Sequence, residues 1–491
     1  MKFNRQKLCQ ICLFCDPAAH GQTDQVLLRS DNFYIFAGLG AILEGYLIIA
    51  PQSCGASGGA GTSLSELSLE LLDELVYLRS LVSKFYCEIY GHPGLSFEHG
   101  RAGSCARLNE ETKHCYHPHL CCYPGSVTQG TGYSDQAGEF KHLWDSFSLP
   151  NRRICNGLHT LPATVGNLPY LYVEHHIGCD IAKASGTTSK SRAFILPDED
   201  TLASQFLRRQ LSNLVQDPEK WDWAAFPTMG RVHRVVSAFS RWLQEHQNDY
   251  AVAFSPGQPP QICFSTSVNR LTQGAYGRIS NQFKARWQGV LQYNTVGRFL
   301  ANLPSGTSGG TSESIRVLDI GCGPGLYTKV FVDLGFECVA VDYSDQMLQE
   351  AEIYLAESLN VGNVTLVKSN VENLNTKAQG VFEAIWLSAV FLHIPRRDAL
   401  KTLQILKTLL SEDGILYIST RLLCTGDGYD FPALEVRREG RVFVYYQQDE
   451  LEELFVTAKL QTVQCWQGTT TLGTCGEKRS KTWCHYLLSK C

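Results

Sequence analysis

The sequence predicts two domains of different class: a region of strands around one long helix over residues 1–254, and an α/β region with a mainly parallel sheet over residues 267–491. A linker at 255–266 joins them. Three observations lead there. At 491 residues the chain exceeds what a single core ordinarily organises. The stretch Ser255-Pro-Gly-Gln-Pro-Pro260 interrupts both helix and strand. After it, strand-like and helical segments alternate, which is the rhythm of βαβ units.

Composition narrows the function classes. Hydrophobic residues make up 44% and charged residues 19% of the chain, as in ordinary globular proteins. The net charge is −5 and neither half is a polycation, so a non-specific grip on nucleic-acid backbones is disfavoured. No apolar run reaches the roughly 18 residues of a membrane span, and the longest, Ala37–Pro51, is broken by Glu44. Met1–Cys15 has a basic entry, but its short apolar run ends at Asp16 without a small-residue cleavage pattern. The expectation is a soluble, cytoplasmic protein with no membrane partner. Nineteen cysteines without a secretion signal favour reduced thiols, buried cysteines or a metal site over a disulfide framework.

In the first region, Phe33–Phe36 and Gly45–Ala50 read as strands. Leu64, Leu67, Leu71, Leu75, Leu78, Val82, Phe85 and Ile89 then recur at helical spacing. Ser63 with Glu66 forms a capping-box signature at the start of that helix, and Gly91 follows its end. Leu95–His99 and Cys115–Tyr123 read as further strands. In the second region the expected order is strand Arg316–Ile320, helix Tyr327–Leu334, strand Glu337–Val341 and helix Gln346–Glu357.

The clearest chemical signal is Val317-Leu-Asp-Ile-Gly-Cys-Gly-Pro-Gly325, a buried strand running into a glycine-rich turn and a helix. Glycines let the backbone turn tightly and let a ligand approach without meeting a Cβ atom. The next strand ends in Asp342, 17 residues past Gly325, where a carboxylate can accept hydrogen bonds from a ribose diol. A nicotinamide dinucleotide site would require G-x-G-x-x-G, whereas this turn is G-x-G-x-G. Asp319, two residues before Gly321, suits a cationic ligand such as S-adenosylmethionine.

These residues resemble the class I S-adenosylmethionine-dependent methyltransferases over about Ser267–Lys490. Supporting segments are Tyr343-Ser344, Ser369-Asn-Val-Glu372, Phe382–Leu387 followed by Ser388-Ala-Val-Phe-Leu-His-Ile-Pro395, and Gly414–Ser419. The resemblance implies a Rossmann-like fold in which Gly321, Gly323 and Gly325 line the methionine moiety and Asp342 holds the ribose. Met347 would then pack near the adenine, with Asn370 and Val371 along its edge; Tyr343 and Leu387 complete the expected cofactor set. No Asn/Asp-Pro-Pro-aromatic motif or Pro-Cys nucleophile follows the fourth strand, so transfer to oxygen or nitrogen leads. His393 is a candidate base, weighed against a packing or capping histidine. Arg421 and the Arg437–Tyr446 segment, with Arg438, Arg441 and Tyr445, read equally as an active-site lid or as a solvated loop and edge strand.

The second signal is His117-Pro-His119-Leu-Cys121. In a strand, alternation places His117, His119 and Cys121 on one face. A buried histidine pair competes with a metal or nucleophile site there. Together with Cys12-Leu-Phe-Cys15, Gly45–Pro51 and the long helix, the segment resembles the histidine-triad (HIT) superfamily of nucleotide hydrolases and nucleotidyltransferases over at least Cys9–Pro124. Pro169–Pro227 looks like a family-specific extension.

That resemblance implies an α+β domain with an antiparallel sheet and His119 as nucleophile toward a nucleotide α-phosphorus. Cys121 stands where hydrolases carry histidine, and a thiol is a weak donor; His99 or His114 would substitute. Zinc-containing members imply a structural zinc held by Cys12, Cys15, Cys54 and His117.

The leading expectation is a bifunctional enzyme that acts on a nucleotide or nucleotidylated small molecule and an unidentified methyl acceptor. The alternative is a methyltransferase whose first domain only binds nucleotide or recruits substrate. Histidine-triad relatives often dimerise, so a homodimer is among the expected assemblies.

Overall fold

Short runs, several of them apolar and buried along almost their whole length, build the first sheet. They are β1 (Val26–Arg29), β2 (Phe33–Ala37), β3 (Leu47–Pro51), β4 (Leu95–Gly100), β5 (Leu120–Tyr123), β6 (Arg152–Cys155), β7 (Tyr170–Ile177) and β8 (Thr188–Ile195). Their order is β1-β2-β3-β5-β4-β7-β8-β6, antiparallel at every pairing. The structure is a computed structural model that describes residues 25–53, 63–92, 94–101, 117–124, 152–155, 157–177, 188–197, 205–214, 217–223, 225–287, 291–304, 315–423, 433–437, 439–472 and 479–491. The chain divides into two units, Met1–Ser267 and Val268–Cys491.

In the first unit, α1 (Leu69–Tyr90) is the long helix expected from the leucine spacing. Its true cap is Ser68, whose side chain accepts from the Leu71 amide at 3.4 Å, and Gly91 ends it at φ 78°. Ser63 and Glu66 form no capping box. The Ser63 hydroxyl pairs with Ser65 at 2.9 Å, and the Glu66 carboxylate reaches Arg101 at 2.7 Å. Both groups are therefore engaged elsewhere, and Leu64–Glu66 is a separate 3-10 turn. Helices α2 (Phe206–Leu214) and α3 (Met229–Glu245) follow β8. Phe239 and Trp242 of α3 pack edge-on against Phe85 of α1, with ring centroids 4.9 and 5.6 Å away. Edge-to-face aromatic packing of this kind adds to what area burial alone contributes.

The second unit takes most of α4 (Phe264–Trp287) and then α5 (Tyr293–Ala301). Its strands are β9 (Arg316–Ile320), β10 (Glu337–Asp342), β11 (Val364–Lys368), β12 (Phe382–Ser388), β13 (Leu410–Arg421), β14 (Leu434–Val436), β15 (Val442–Val444), β16 (Leu460–Leu472) and β17 (Arg479–Lys490). The connecting helices are α6 (Leu326–Asp333), α7 (Asp345–Tyr354), α8 (Arg396–Leu409) and α9 (Gln448–Thr457). The helix expected over Gln346–Glu357 starts at Asp345 and gives way at Leu355 to a second short helix, Ala356–Val361.

The main sheet runs β11-β10-β9-β12-β13-β17-β16. Its first five strands are parallel; β17 is antiparallel to both neighbours. Trp386 and Tyr417 stack in its core with centroids 3.9 Å apart, and Phe299 meets Trp386 edge-on at 5.1 Å. Strand order reverses beside β9, between β10 and β12, and a crevice at such a reversal is where open α/β sheets bind ligands. Strands β14 and β15 form a separate hairpin.

Among the described residues, no helix is long and apolar enough to cross a membrane. Cys121, Cys122, Cys155, Cys322, Cys338 and Cys484 are buried free thiols, whereas Cys87 is disulfide-bonded.

Candidate functional site

At the reversal, the turn after β9 is held by backbone bonds to its neighbour strand. The Gly321 and Cys322 amides both donate to the Val341 carbonyl, at 2.7 and 3.0 Å. Gly321, Gly323 and Gly325 have φ values of 69°, 54° and 81°, a region that disfavours any side chain. A Cβ on Gly321 would lie 2.3 Å from Val390 Cγ2, whereas one on Gly323 would reach only Phe283 and Met347, at 3.9 and 4.0 Å. Gly321 is thus needed for close packing, and Gly323 faces room.

Asp342 closes this turn. Its Oδ2 accepts from the Gly323 amide at 2.9 Å and its Oδ1 from the Ser344 amide at 2.8 Å. Burial pushes its pKa up to about 6, against the lowering effect of those amides. Asp319 lies below the turn, 2% exposed, and accepts from Thr328 Oγ1 at 2.6 Å. Burial raises it to about 7, with the nearby Asp342 charge adding to the rise. Two buried acids beside a glycine turn create a site that favours a cation.

The remaining expected cofactor residues fall around these strand ends. Met347 is buried in the first turn of α7, which Ser344 caps. Gln273 Nε2 donates to the Tyr343 carbonyl at 2.5 Å. Past β11, Asn370 Nδ2 donates to Glu372 at 2.9 Å, while its buried Oδ1 has no hydrogen-bond partner among the described residues. Val371 is buried beside it, and Leu387 is fully buried within β12. An orphaned buried acceptor at a strand end fits a ligand that brings a donor.

Sequence reasoning missed three features here. Ala389 sits at φ 56°, its amide donating to Ser419 Oγ at 2.9 Å, and such strain in a residue with a Cβ clusters at functional sites. Phe283 and Tyr276, both on α4, meet edge-on at 5.9 Å. The Tyr276 hydroxyl bonds His393 Nε2 at 2.8 Å. His393 Nδ1 lies 2.6 Å from the Val442 carbonyl and must donate to it, so Nε2 accepts from Tyr276. Burial then pulls the histidine down to about 3. His393 is a neutral linker between α4 and β15. Nothing in the spacing of α4 marked Tyr276 as anything but core. Residues Val442–Tyr446 are all buried, so the segment is no solvated loop; Arg438 lies outside the described residues.

In the first unit, β5 begins only at Leu120, so His117 and His119 precede the strand. His117 is buried with Nε2 2.7 Å from the Pro51 carbonyl, and His119 Nδ1 lies 2.9 Å from the His117 carbonyl. Cys121 is 5% exposed and pairs with the Tyr46 hydroxyl at 3.3 Å, inside the core with Phe97 and Tyr123. His99 on β4 is pulled down to about 4 by burial and by His119, and its Nε2 has no hydrogen-bond partner among the described residues. Glu98, unremarked in the sequence, accepts from Tyr170 at 2.5 Å and from the Leu64 amide at 2.8 Å; burial pushes it up to about 7. The signal that marks it is an acid next to Phe97 within a strand whose residues, His99 apart, are buried. Cys12, Cys15, Cys54 and His114 lie outside the described residues, and among those described no cluster of three metal-ligating side chains occurs.

A strand–glycine turn–helix with an acid at the second strand end, on a parallel sheet of this order, defines a Rossmann-like methyltransferase domain of the class I type. Residues 293–464 match the family model described as a methyltransferase domain, and the second unit carries that domain. The chain is 31% identical over 105 residues to the ubiquinone biosynthesis O-methyltransferase of Xanthomonas campestris pv. campestris (strain B100), covering 21% of this chain and 42% of that protein. It is 30% identical over 112 residues to the enzyme of the same name from Nitrosomonas europaea, covering 23% and 46%. The chain therefore spans less than half the length of these relatives. Among solved structures it is similar to the Burkholderia thailandensis 1,6-didemethyltoxoflavin-N1-methyltransferase, at 16% identity and a TM-score of 0.35, over 49% of this chain and 99% of that one.

Proposed function

We propose that the second unit transfers a methyl group from S-adenosylmethionine to an oxygen or nitrogen atom of a small-molecule acceptor. One observation carries the reading: a glycine turn bonded to the Asp342 carboxylate, with the orphaned Asn370 amide oxygen at the next strand end. In this reading Gly323 admits the methionine moiety, and Asp342 accepts from the ribose hydroxyls. Met347 and Val371 flank the adenine, whose amino group supplies the donor that Asn370 Oδ1 lacks. Asp319 attracts the cationic end. Bound S-adenosylmethionine supplies an electrophilic methyl group, and the protein contributes alignment and exclusion of water. His393 is unsuited as a base, because both ring nitrogens are engaged. The O-methyltransferases at about three-tenths identity favour oxygen as the acceptor atom.

Calorimetry with S-adenosylhomocysteine tests this. The parent should bind, and Asp342→Ala should weaken binding by roughly five- to 150-fold, from about 1–3 kcal/mol of unpaired ligand hydroxyls. Equal affinity in the two proteins would sink the reading.

A second reading concerns the first unit: nucleotidyl chemistry of the histidine-triad kind. It draws support from His119, whose Nδ1 proton is committed to the His117 carbonyl, placing the lone pair on Nε2 where a nucleophile needs it. Nε2 would bond the α-phosphorus and expel the leaving group, and water would then take the nucleotide. Cys121 faces Tyr46, so help for the leaving group falls to His114 or to His99, which burial holds neutral and which would act as a hydrogen-bond donor. Cys12, Cys15, Cys54 and His117 would hold one structural zinc. His119→Gly should abolish nucleoside monophosphate release across a panel of nucleotide esters, and metal emission should find about one zinc per chain. Absence of release from the parent favours a binding-only module.

A further inference from the structure

Three arginines meet at the hairpin β14–β15, Arg437 and Arg441 from the hairpin itself and Arg421 from the end of β13, and among the described residues only the first two pair with a carboxylate. Arg437 pairs with Glu435, Nε to Oε1 at 3.3 Å, and Arg441 grips Glu439 with Nε at 2.9 Å and Nη2 at 2.5 Å. The Tyr445 hydroxyl also donates to Glu435, at 2.6 Å. Arg421, at the end of β13, forms no ion pair among the described residues, although Glu435 and Tyr445 both act on its charge. It is 8% exposed, and its Nε and Nη1 atoms have no hydrogen-bond partner among the described residues. Its guanidinium is held over Trp483 at 4.8 Å and Phe443 at 5.4 Å, a setting that fixes the plane of the group without neutralising it. A buried guanidinium with orphaned donors is costly unless a partner arrives.

The position of this cluster gives the partner its role. Arg441 lies 5.6 Å from the Tyr276 ring, and Tyr276 packs edge-on against Phe283. Phe283 is the side chain a Cβ on Gly323 would meet. Burial raises the Tyr276 hydroxyl, with Arg441 and Arg421 opposing the rise and Asp342 adding to it. Arg441 thus stands two aromatic rings from the glycine turn, and Arg421 shares the Phe443 ring with it at the carboxyl end of β13, where an acceptor must lie to face a bound cofactor. His393 is held neutral there, so the surplus positive charge is the arginines' own.

We propose that Arg421, supported by Arg437 and Arg441, binds an anionic group on the methyl acceptor, so that the acceptor class is a small carboxylate- or phosphate-bearing molecule. This rests on the methyl-transfer reading for the meaning of the pocket, but its test separates the two. The full chain is titrated with benzoate, phenyl phosphate and neutral benzamide, each with and without saturating S-adenosylhomocysteine. The anions should bind and benzamide should not, and whichever anion binds tighter identifies the charge carrier. Arg421→Met keeps the stacking stem and removes the charge; it should weaken anion binding at least tenfold, leave S-adenosylhomocysteine affinity within twofold, and raise the apo melting temperature by relieving an unpaired buried charge. Arg421→Lys should restore part of the anion binding. Anion binding unchanged in Arg421→Met, or no anion binding by the parent in either arm, overturns the proposal. Failure of S-adenosylhomocysteine alone overturns the cofactor reading, while the cofactor-free arm still decides the pocket.

Discussion

Each unit presents a short chemical signature next to a strand, and the two are built on opposite principles. Gly321–Gly325 works through its backbone: positive φ angles, amides bonded to Val341 and Asp342, and a missing Cβ against Val390. His117–Cys121 works through side chains, and tertiary contacts scatter them. His117 turns to the Pro51 carbonyl, His119 to the His117 carbonyl, and Cys121 into the core against Tyr46. The conformation of a backbone signature is set by its own glycines, although the partners that hold it, Val341, Asp342 and Val390, lie on neighbouring segments. A side-chain signature depends on what the rest of the sheet places opposite, so the same confidence of pattern yields a defined cradle in one unit and a partly dispersed set in the other.

The sharpest way to break that comparison is Gly321→Ala. The added methyl meets Val390 Cγ2 at 2.3 Å in a left-handed backbone, which costs about 2–4 kcal/mol from strain and overpacking together. S-adenosylhomocysteine affinity should fall by more than about 100-fold, as the displaced turn releases Asp342. Calorimetry and thermal unfolding measure both. Affinity within threefold of the parent would show that the turn tolerates a side chain, and the backbone argument would fail.

Next in size is a change that tests the side-chain scaffold of the first unit. Arg208 is buried and donates to Tyr123 Oη at 2.9 Å, the Gly40 carbonyl at 2.6 Å and the Trp221 carbonyl at 3.0 Å. Its guanidinium also sits 5.3 Å from the Tyr46 ring, the residue that holds Cys121. Arg208→Met should lower the stability of this unit by about 2 kcal/mol, since its charge-assisted bonds are lost and the Tyr123 hydroxyl and Gly40 carbonyl stay buried. Denaturant unfolding followed by tryptophan fluorescence reads the loss, while S-adenosylhomocysteine affinity should stay within twofold. Unchanged stability would mean that solvent satisfies those acceptors.

How much was legible beforehand follows from the same contrast. The βαβ rhythm, β9, the turn and Asp342 lay where the alternation of strands and helices and the glycine spacing placed them, because each of these local elements is set by residues close in sequence. The helix starting at Ser63 was misread: Ser65 and Arg101 compete for the capping groups, and the Arg101 contact spans 35 residues. The strand expected from Cys115 starts only at Leu120 for a related reason, since the two histidines bond carbonyls rather than a ladder. Tyr276, His393 and the three arginines converge from α4, the turn after β12, and the ends of β13–β15. No sequence period links those segments, so Arg421 was visible as a residue but not as an unmatched charge.

The smallest expected effect uses pH to ask whether the two buried acids serve the ligand. In the apo protein, burial raises Asp319 to about 7 and Asp342 to about 6, above the ordinary carboxylate range near 4. The folded state therefore holds these protons more tightly than the unfolded chain does. Their contribution to stability is fully present below about pH 4 and is lost as pH rises through 6 and 7. A cationic ligand reverses the sign, because it prefers the ionised acids. Affinity for S-adenosylmethionine should rise roughly tenfold from pH 5.5 to pH 7, as Asp319 gives up its proton. Over that interval the apo melting temperature should fall and the ligand-bound one should hold or rise. Thr328→Val sharpens the test, since the Thr328 hydroxyl donates to Asp319 at 2.6 Å and favours its charged form. Without that donor the Asp319 midpoint moves up, and the rise in affinity should shift to higher pH by a fraction of a unit to one unit. A flat affinity profile in the parent would mean that Asp319 stays protonated beside the ligand and that the cationic end is met by other groups.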